Sequence, residues 1–310
     1  MIEDKGYYDF GDFLRKYFPC KVQKISINAG FTCPNRDGNK GQGGCTYCNN
    51  QTFNPDYCKP ALSISQQLEE GKTFFARKYP EMKYLAYFQA YTNTYAPIED
   101  VIAMYQEALA VEDVVGLIIG TRPDCMPEAL LNYFSSLAND KFVLIEYGVE
   151  SSKNETLELI NRGHSWEDTK DAIIRTHNAG ILCGAHIILG LPEENEADML
   201  NTIKDLSALP IDTLKIHQLQ LIVGTRLAKQ VLNKELNIMR WEAKDYIQFC
   251  ANLIPYVAPT IAIERFVSQS PEKLLISPRW GLKNYEFTNL LNNYIKSHDI
   301  HQGSKHQGSK

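Results

Sequence analysis

Residues 114–149, VVGLIIGTRPDCMPEALLNYFSSLANDKFVLIEYGV, contain one complete strand–helix–strand unit. The runs 114–120 and 142–149 are continuously apolar rather than alternating, as expected of strands covered on both faces. Between them, 127–137 reads as a helix, and Pro127 suits its first turn. Two strands joined this way lie parallel, with a right-handed crossover.

The same reading extends outward. Strands are expected at 22–28, 83–88, 182–189 and 213–219, and helices at 63–78, 97–110, 166–178 and 197–208. Ser63 is a credible N-cap, Pro97 a first-turn residue, and Gly180 a left-handed C-cap. Six βα units are too few to close an eight-stranded barrel. They imply an open, partial (β/α)6 TIM-like barrel, with a flat doubly wound sheet as the alternative. Either way the functional loops follow the C-terminal ends of the strands. Beyond residue 221 the pattern changes to a helix at 242–253, a strand at 260–266 and a helix at 282–296. The expected organisation is an N-terminal segment (1–20), a core (21–225), a C-terminal extension closing the barrel (226–297) and a disordered tail (298–310). The tail ends in a repeated polar pentamer, HQGSK.

The chain has 310 residues, 44% of them hydrophobic, and a formal net charge of −5. That supplies one sizeable core and no general attraction for nucleic acid. No run of about 18 apolar residues suggests a membrane span. The start, MIEDKGYYDFGDFLRKYF, lacks the basic-then-apolar pattern of a signal peptide. A cytoplasmic location with reduced thiols is therefore expected, and the eight cysteines are not read as four disulfides. Cys125, Cys183 and Cys250 sit in mostly apolar settings and read as small buried hydrophobes.

Cys33, Cys45, Cys48 and Cys58 instead crowd one Gly-rich stretch. Thiolates are soft ligands for iron–sulfur clusters, zinc or copper(I). The Cys45-x-x-Cys48 pair can place two sulfurs on one centre, and Cys33 must return across a flexible loop. Arg36 and Lys40 add positive charge that favours thiolates and an anionic cluster. Three readings stay open on spacing alone: a cluster, a four-cysteine zinc site using Cys58, and a thioredoxin-like redox pair.

Ordered segments beyond the cysteine loop resemble the radical SAM superfamily, in particular its bacterial branch related to the Elongator catalytic subunit. They are AGFTCPNRDG, GGCTYC, YFQAYTNTYAP, GTRPDC, EYGVESS, NRGH, HIILGLPEE, LKIHQLQ, GTRLA and PRWG, spread over roughly residues 20–280. The resemblance implies a [4Fe–4S] cluster on Cys33, Cys45 and Cys48, with one iron open for S-adenosylmethionine. Cys58 and Cys20 then become spare thiols. The loop between Cys33 and Cys45 is longer than the commonest superfamily spacing, a departure shared by the Elongator-related branch.

The resemblance also implies cofactor-binding roles. Tyr47 lies at the adenine position, Gln89 and Thr92 near the methionine amino group, and Glu150 at the ribose hydroxyls. Arg162 matches the arginine that pairs with the methionine carboxylate, and Gly190 helps frame the adenine. A fork-shaped guanidinium suits a carboxylate, and a carboxylate accepts two hydroxyls. Polar residues in apolar strands, His186, Lys215 and His217, are substrate-pocket candidates together with Arg122 and Asp124. No catalytic acid or base is assigned. The implied activity is reductive cleavage of S-adenosylmethionine to a 5′-deoxyadenosyl radical, with an external flavodoxin- or ferredoxin-like reductant as partner. The substrate is not readable from the sequence: the resemblance suggests a tRNA nucleoside, and a small molecule or a protein side chain stays open. Two other classes compete: a zinc-stabilised binding module, and a cluster-bearing electron-transfer or sensor protein.

Overall fold

The computed structural model describes residues 5–52, 55, 57–76 and 82–307. Seven parallel strands form one sheet: β1 (Val22–Ile27), β2 (Lys83–Phe88), β3 (Val114–Thr121), β4 (Phe142–Glu150), β5 (Leu182–Leu189), β6 (Thr213–Gln218) and a late strand, Ala262–Arg265. A two-residue strand, β7 (Leu221–Ile222), precedes that late strand, which is therefore β8. The sheet order is β1-β2-β3-β4-β5-β6-β8, an open partial barrel. The expected six strands are all present, and β8, expected only as a strand in the extension, joins the sheet as its seventh. A separate antiparallel pair joins β7 to β9 (Leu275–Ser277).

The helices follow the expected crossovers. In chain order they are α1 (Phe10–Arg15), α2 (Ile64–Ala76), α3 (Ile98–Ala110), α4 (Glu128–Leu137), α5 (Asn154–Leu159), α6 (Trp166–Asn178), α7 (Glu196–Ser207), α8 (Arg226–Leu232), α9 (Ala243–Leu253) and α10 (Asn284–Ser297). Ser63 Oγ accepts from the Gln66 amide at 3.1 Å, so it caps α2 as expected. The expected end of α2 at Lys78 lies outside the described residues. Gly180 ends α6 with φ of +73°. No described helix is long and apolar enough to cross a membrane.

The unbroken apolar runs divide between two faces. Ala86, Phe88, Leu117, Ile119, Val143 and Ile145 pack outward among the helices. Leu85, Ile118, Phe142, Leu144 and Ala262 pack inward against Phe13 of α1, which plugs the lower end of the barrel. Moving up the inward face, the side chains turn polar: Lys24, Glu146, Lys215 and Glu264 form a charged layer above this plug. A sheet interior filled in layers is what barrel geometry dictates.

The end of the chain departs from expectation. Residues 298–307, expected to be disordered, are placed as far as the described residues run. The Gln302 amide donates to Gly6 O at 2.8 Å, and its side chain donates to Ala258 O and Ile261 O and accepts from the Tyr8 amide. Four hydrogen bonds from one residue tie both terminal segments beside β8, which outweighs the low sequence complexity. Residues 308–310 lie outside the described residues.

Candidate active site

A cleft with about 940 Å³ of empty space opens at the C-terminal ends of the strands. Cys33, Cys45 and Cys48 line one part of its wall, and His186, His217, Glu146, Tyr87 and Arg265 lie deeper, toward the barrel interior. Tyr47, Gln89, Thr92, Glu150, Arg162 and Arg122 also line it. Residues more than a hundred positions apart thus meet in one space.

The cysteine loop is short of regular structure, so its shape rests on turns and side-chain braces. Within it, Arg36 N donates to Cys33 O at 2.8 Å, Gly44 N to Asn35 O at 2.8 Å and Cys48 N to Cys45 O at 3.1 Å. Gly44 has φ of +77°, and a Cβ there would come 2.9 Å from Arg36 Nε. Only glycine meets both demands. The loop is also tied to the α5–α6 connection. Asn161 Nδ2 donates to Gly44 O at 2.9 Å, Thr46 N donates to Ile160 O at 2.9 Å, and the Asn35 side chain donates to Asn161 O. Asn35 and Asn161 were not assigned roles from sequence. The signal for Asn161 is its φ of +54°, a left-handed conformation that asparagine tolerates better than most residues.

Arg162 is buried against the cysteine loop. Its Nη1 donates to Cys45 Sγ at 3.5 Å, and its Nη2 lies 3.4 Å from Glu150 Oε1 and donates to Gly148 O. Among the described residues its buried Nε has no hydrogen-bond partner, and neither does the buried Thr92 Oγ1. Burial pushes Glu150 above the usual carboxylate range despite Arg162 and Tyr47 beside it. Glu150 also holds φ of +71° and Tyr91 φ of +62°, uncommon for side chains of this size and concentrated at this end of the sheet. Gln89 donates to Ser26 Oγ at 2.7 Å.

Three expected placements differ. Gly190 does not line the cleft: it has φ of +86°, and a Cβ there would come 3.1 Å from Trp241 Nε1, so its bareness makes room for that ring. Asp124 does not line it either. It is held by Arg122 at 2.9 Å and Lys40 at 2.7 Å, and those cations, with their hydrogen bonds, overcome burial to keep it well below the usual carboxylate range. Lys40 is thereby drawn into an ion pair with Asp124; Arg36, with Arg162 behind it, is the cation that acts on Cys48. Burial still dominates at Cys48, which is pushed up to about 11.

Lys215 is the third. It does not line the cleft but lies beneath it, 2% exposed at the side chain, 2.7 Å from Glu146, 2.9 Å from Glu264 and 3.0 Å from Tyr87 Oη. Burial pulls Lys215 down to about 8 against the effect of both carboxylates. Burial alone would raise Glu146, but Lys215 and Lys24 hold it well below its usual range. The pair is therefore charged at neutral pH. Sequence reasoning passed over Glu146, although a carboxylate inside the apolar run of β4 signals a buried partner. His186 and His217 do reach the cleft, with rings 5.3 Å apart.

Cys58 is not among the cleft residues; it packs in the core cluster that includes Ile64 and Leu68. Among the described residues no three His, Cys, Asp or Glu side chains converge tightly enough for a single metal ion. Cys33, Cys45 and Cys48 present soft sulfur donors to one cleft, and those donors fit an iron–sulfur cluster.

Residues 31–206 match the family described as the Radical SAM superfamily, and 211–297 match the Radical_SAM C-terminal domain. The chain belongs to the radical SAM superfamily. It is 32% identical over 300 residues to the uncharacterized protein YtqA of Bacillus subtilis, covering 97% of this chain and 92% of that one. It is 28% identical over 190 residues to a tRNA uridine(34) acetyltransferase of Methanocaldococcus jannaschii, covering 60% of this chain and 34% of the other. Among solved structures, Methanocaldococcus infernus Elp3 lacking its N-terminus superposes with a TM-score of 0.65 at 19% identity. That match covers 91% of this chain and 64% of the other, and the two share a fold.

Proposed function

We propose that this radical SAM protein is an enzyme that cleaves S-adenosylmethionine at a [4Fe–4S] cluster held by Cys33, Cys45 and Cys48. The observation that carries the reading is the meeting of those three thiols with Arg162 and Glu150 in one cleft, without Cys58. When bound, the cluster supplies one electron to the sulfonium and so a 5′-deoxyadenosyl radical able to abstract hydrogen.

The chain's own residues supply the rest. Arg162 takes the amino-acid carboxylate through its guanidinium, Glu150 accepts the ribose hydroxyls, and Tyr47 flanks the adenine. Thr92, with an unpartnered buried hydroxyl, and Gln89 serve the amino group. The apolar plug around Phe13 closes the barrel below and keeps bulk water from reaching the cleft from that side. A flavodoxin- or ferredoxin-like protein delivers the electron. The substrate of the enzyme is a tRNA nucleoside or a small molecule, the first supported by likeness to the tRNA uridine(34) acetyltransferase.

The test is anaerobic reconstitution followed by metal analysis and incubation with S-adenosylmethionine under strong reductant. Iron at about four per chain and release of 5′-deoxyadenosine are expected. Zinc at one per chain without iron would instead support the binding-module reading. Iron without 5′-deoxyadenosine would support an electron-transfer or sensor protein. Nucleoside profiles of tRNA from cells with and without the protein test the substrate.

A further inference from the structure

The deeper part of the cleft is distinct in chemistry from the part beside the cysteines. Glu146 and Glu150 share β4 four residues apart, so the two levels are separated by roughly 13 Å along the strand. At the deeper level Glu146 is fully engaged: Oε1 accepts from Lys24 at 3.0 Å and Oε2 from Lys215 at 2.7 Å. Glu264 is engaged by the same two lysines, at 2.6 and 2.9 Å. Both carboxylates are therefore neutralised within the barrel wall.

Arg265, at the end of β8, is left over. It lines the cleft, and among the described residues no carboxylate stands within ion-pair distance of it. Its Nε is buried without a hydrogen-bond partner among the described residues. Two further buried nitrogens share this condition, Nε2 of His186 and Nε2 of His217. His186 Nε2 lies 3.2 Å from Glu146 Oε2, but the contact is not aligned as a hydrogen bond. Buried polar groups left unpaired in this way are uncommon and costly, so several around one cavity point to a ligand that satisfies them.

The charge count gives the ligand's sign. Lys24, Lys215 and Arg265 set three cations against the two carboxylates of Glu146 and Glu264, leaving one positive charge facing the cleft. A guanidinium has donors only, and each imidazole can present an N–H from Nε2. We infer that Arg265, with His186 and His217, forms a substrate subsite for a singly charged oxyanion, a carboxylate in preference to a phosphate. A carboxylate balances the single surplus charge and matches the planar fork; a dianionic phosphate would leave an excess negative charge in a buried site. The subsite names a feature of the substrate of the proposed radical enzyme and rests on that reading for its role. Its existence as an anion site does not.

The experiment uses the full chain with 13C-labelled histidine, without S-adenosylmethionine. Histidine signals are followed by NMR during titration with acetate, inorganic phosphate or acetamide at constant ionic strength. His186→Gln and His217→Gln assign the signals. Acetate is expected to shift both signals saturably, phosphate to bind at least threefold more weakly and acetamide not to saturate. Arg265→Gln should weaken acetate at least tenfold, while Arg265→Lys, which keeps the charge, should recover part of that loss. Circular dichroism selects the variants that fold, and if Arg265→Gln does not, Arg265→Lys against wild type carries the comparison. Equal response to acetamide, tighter binding of phosphate, no saturable acetate shift, or acetate binding indifferent to Arg265 would each overturn the inference. None of these readouts depends on iron or on 5′-deoxyadenosine, so their failure is separable from failure of the radical reading.

Discussion

The cysteine wall and the charged floor of the same cleft are built in opposite ways. The wall is a loop, held by backbone turns and by braces from Asn35 and Asn161 to a neighbouring connection. The floor is strand, and its charges are carried by β1, β4, β6 and β8. At the wall, groups such as Thr92 Oγ1 and Arg162 Nε are left without partners. On the floor, Lys24, Lys215, Glu146 and Glu264 satisfy one another. A wall with open valences is made to receive something, whereas the four mutually neutralised charges of the floor hold its shape and leave Arg265, His186 and His217 above them with open valences.

The largest effect that breaks this contrast lies at the wall. Cys33→Ala, Cys45→Ala or Cys48→Ala should each remove the stable iron cluster, measured as iron per chain after reconstitution, with fold retained. Cys58→Ala should keep its iron; loss equal to the other three would return Cys58 to the ligand set.

On the floor the effect should fall on stability. Lys215→Met removes a cation shared by two buried carboxylates and should cost about 3–5 kcal/mol in denaturant unfolding. An unfolding midpoint unchanged from wild type would mean that the floor is not the rigid element.

A smaller, pH-dependent effect follows from His186, which burial, with Lys215 nearby, pulls down to about 4 despite Glu146. The folded chain keeps this imidazole neutral while the unfolded chain protonates it near its usual value. Stability from His186 is therefore present above that usual value and is lost as pH falls toward about 4. His186→Gln should flatten that part of the pH–stability curve, read as thermal midpoint against pH.

The smallest effect sharpens the boundary of the wall. Lys40→Met removes a half-exposed lysine from the buried Asp124, which keeps its pair with Arg122, and should change stability by about 1 kcal/mol while leaving iron content unchanged. A loss of iron would restore Lys40 as a cation acting on the thiols.

Most of the sheet was legible in the sequence because a doubly covered parallel strand must be apolar throughout. The inward and outward halves of 142–149 both had to meet hydrophobic neighbours. The place of β8 was less legible, since a strand of four residues carrying Glu264 and Arg265 shows little hydrophobic pattern. At the site, the thiols and Arg162 were visible as chemistry, but the braces were not. Asn35 and Asn161 act through contacts formed only when the loop meets the α5–α6 connection. Lys215 and His217 were correctly placed on one face, yet the face alone did not show that Lys215 stops beneath the cleft. That depended on carboxylates supplied by β4 and β8.

The docking of Gln302 beside β8 has a consequence for the order in which the molecule is made. Glu264 and Arg265 emerge from the ribosome late, and the hydrogen bonds from Gln302 to Gly6, Ala258 and Ile261 form later still. Until Glu264 emerges, Lys24 and Lys215 lack half of their counter-charge. The nascent barrel therefore cannot complete its charged interior before β8 is made, and the fastening of Gly6 and Tyr8 to Gln302 comes after it.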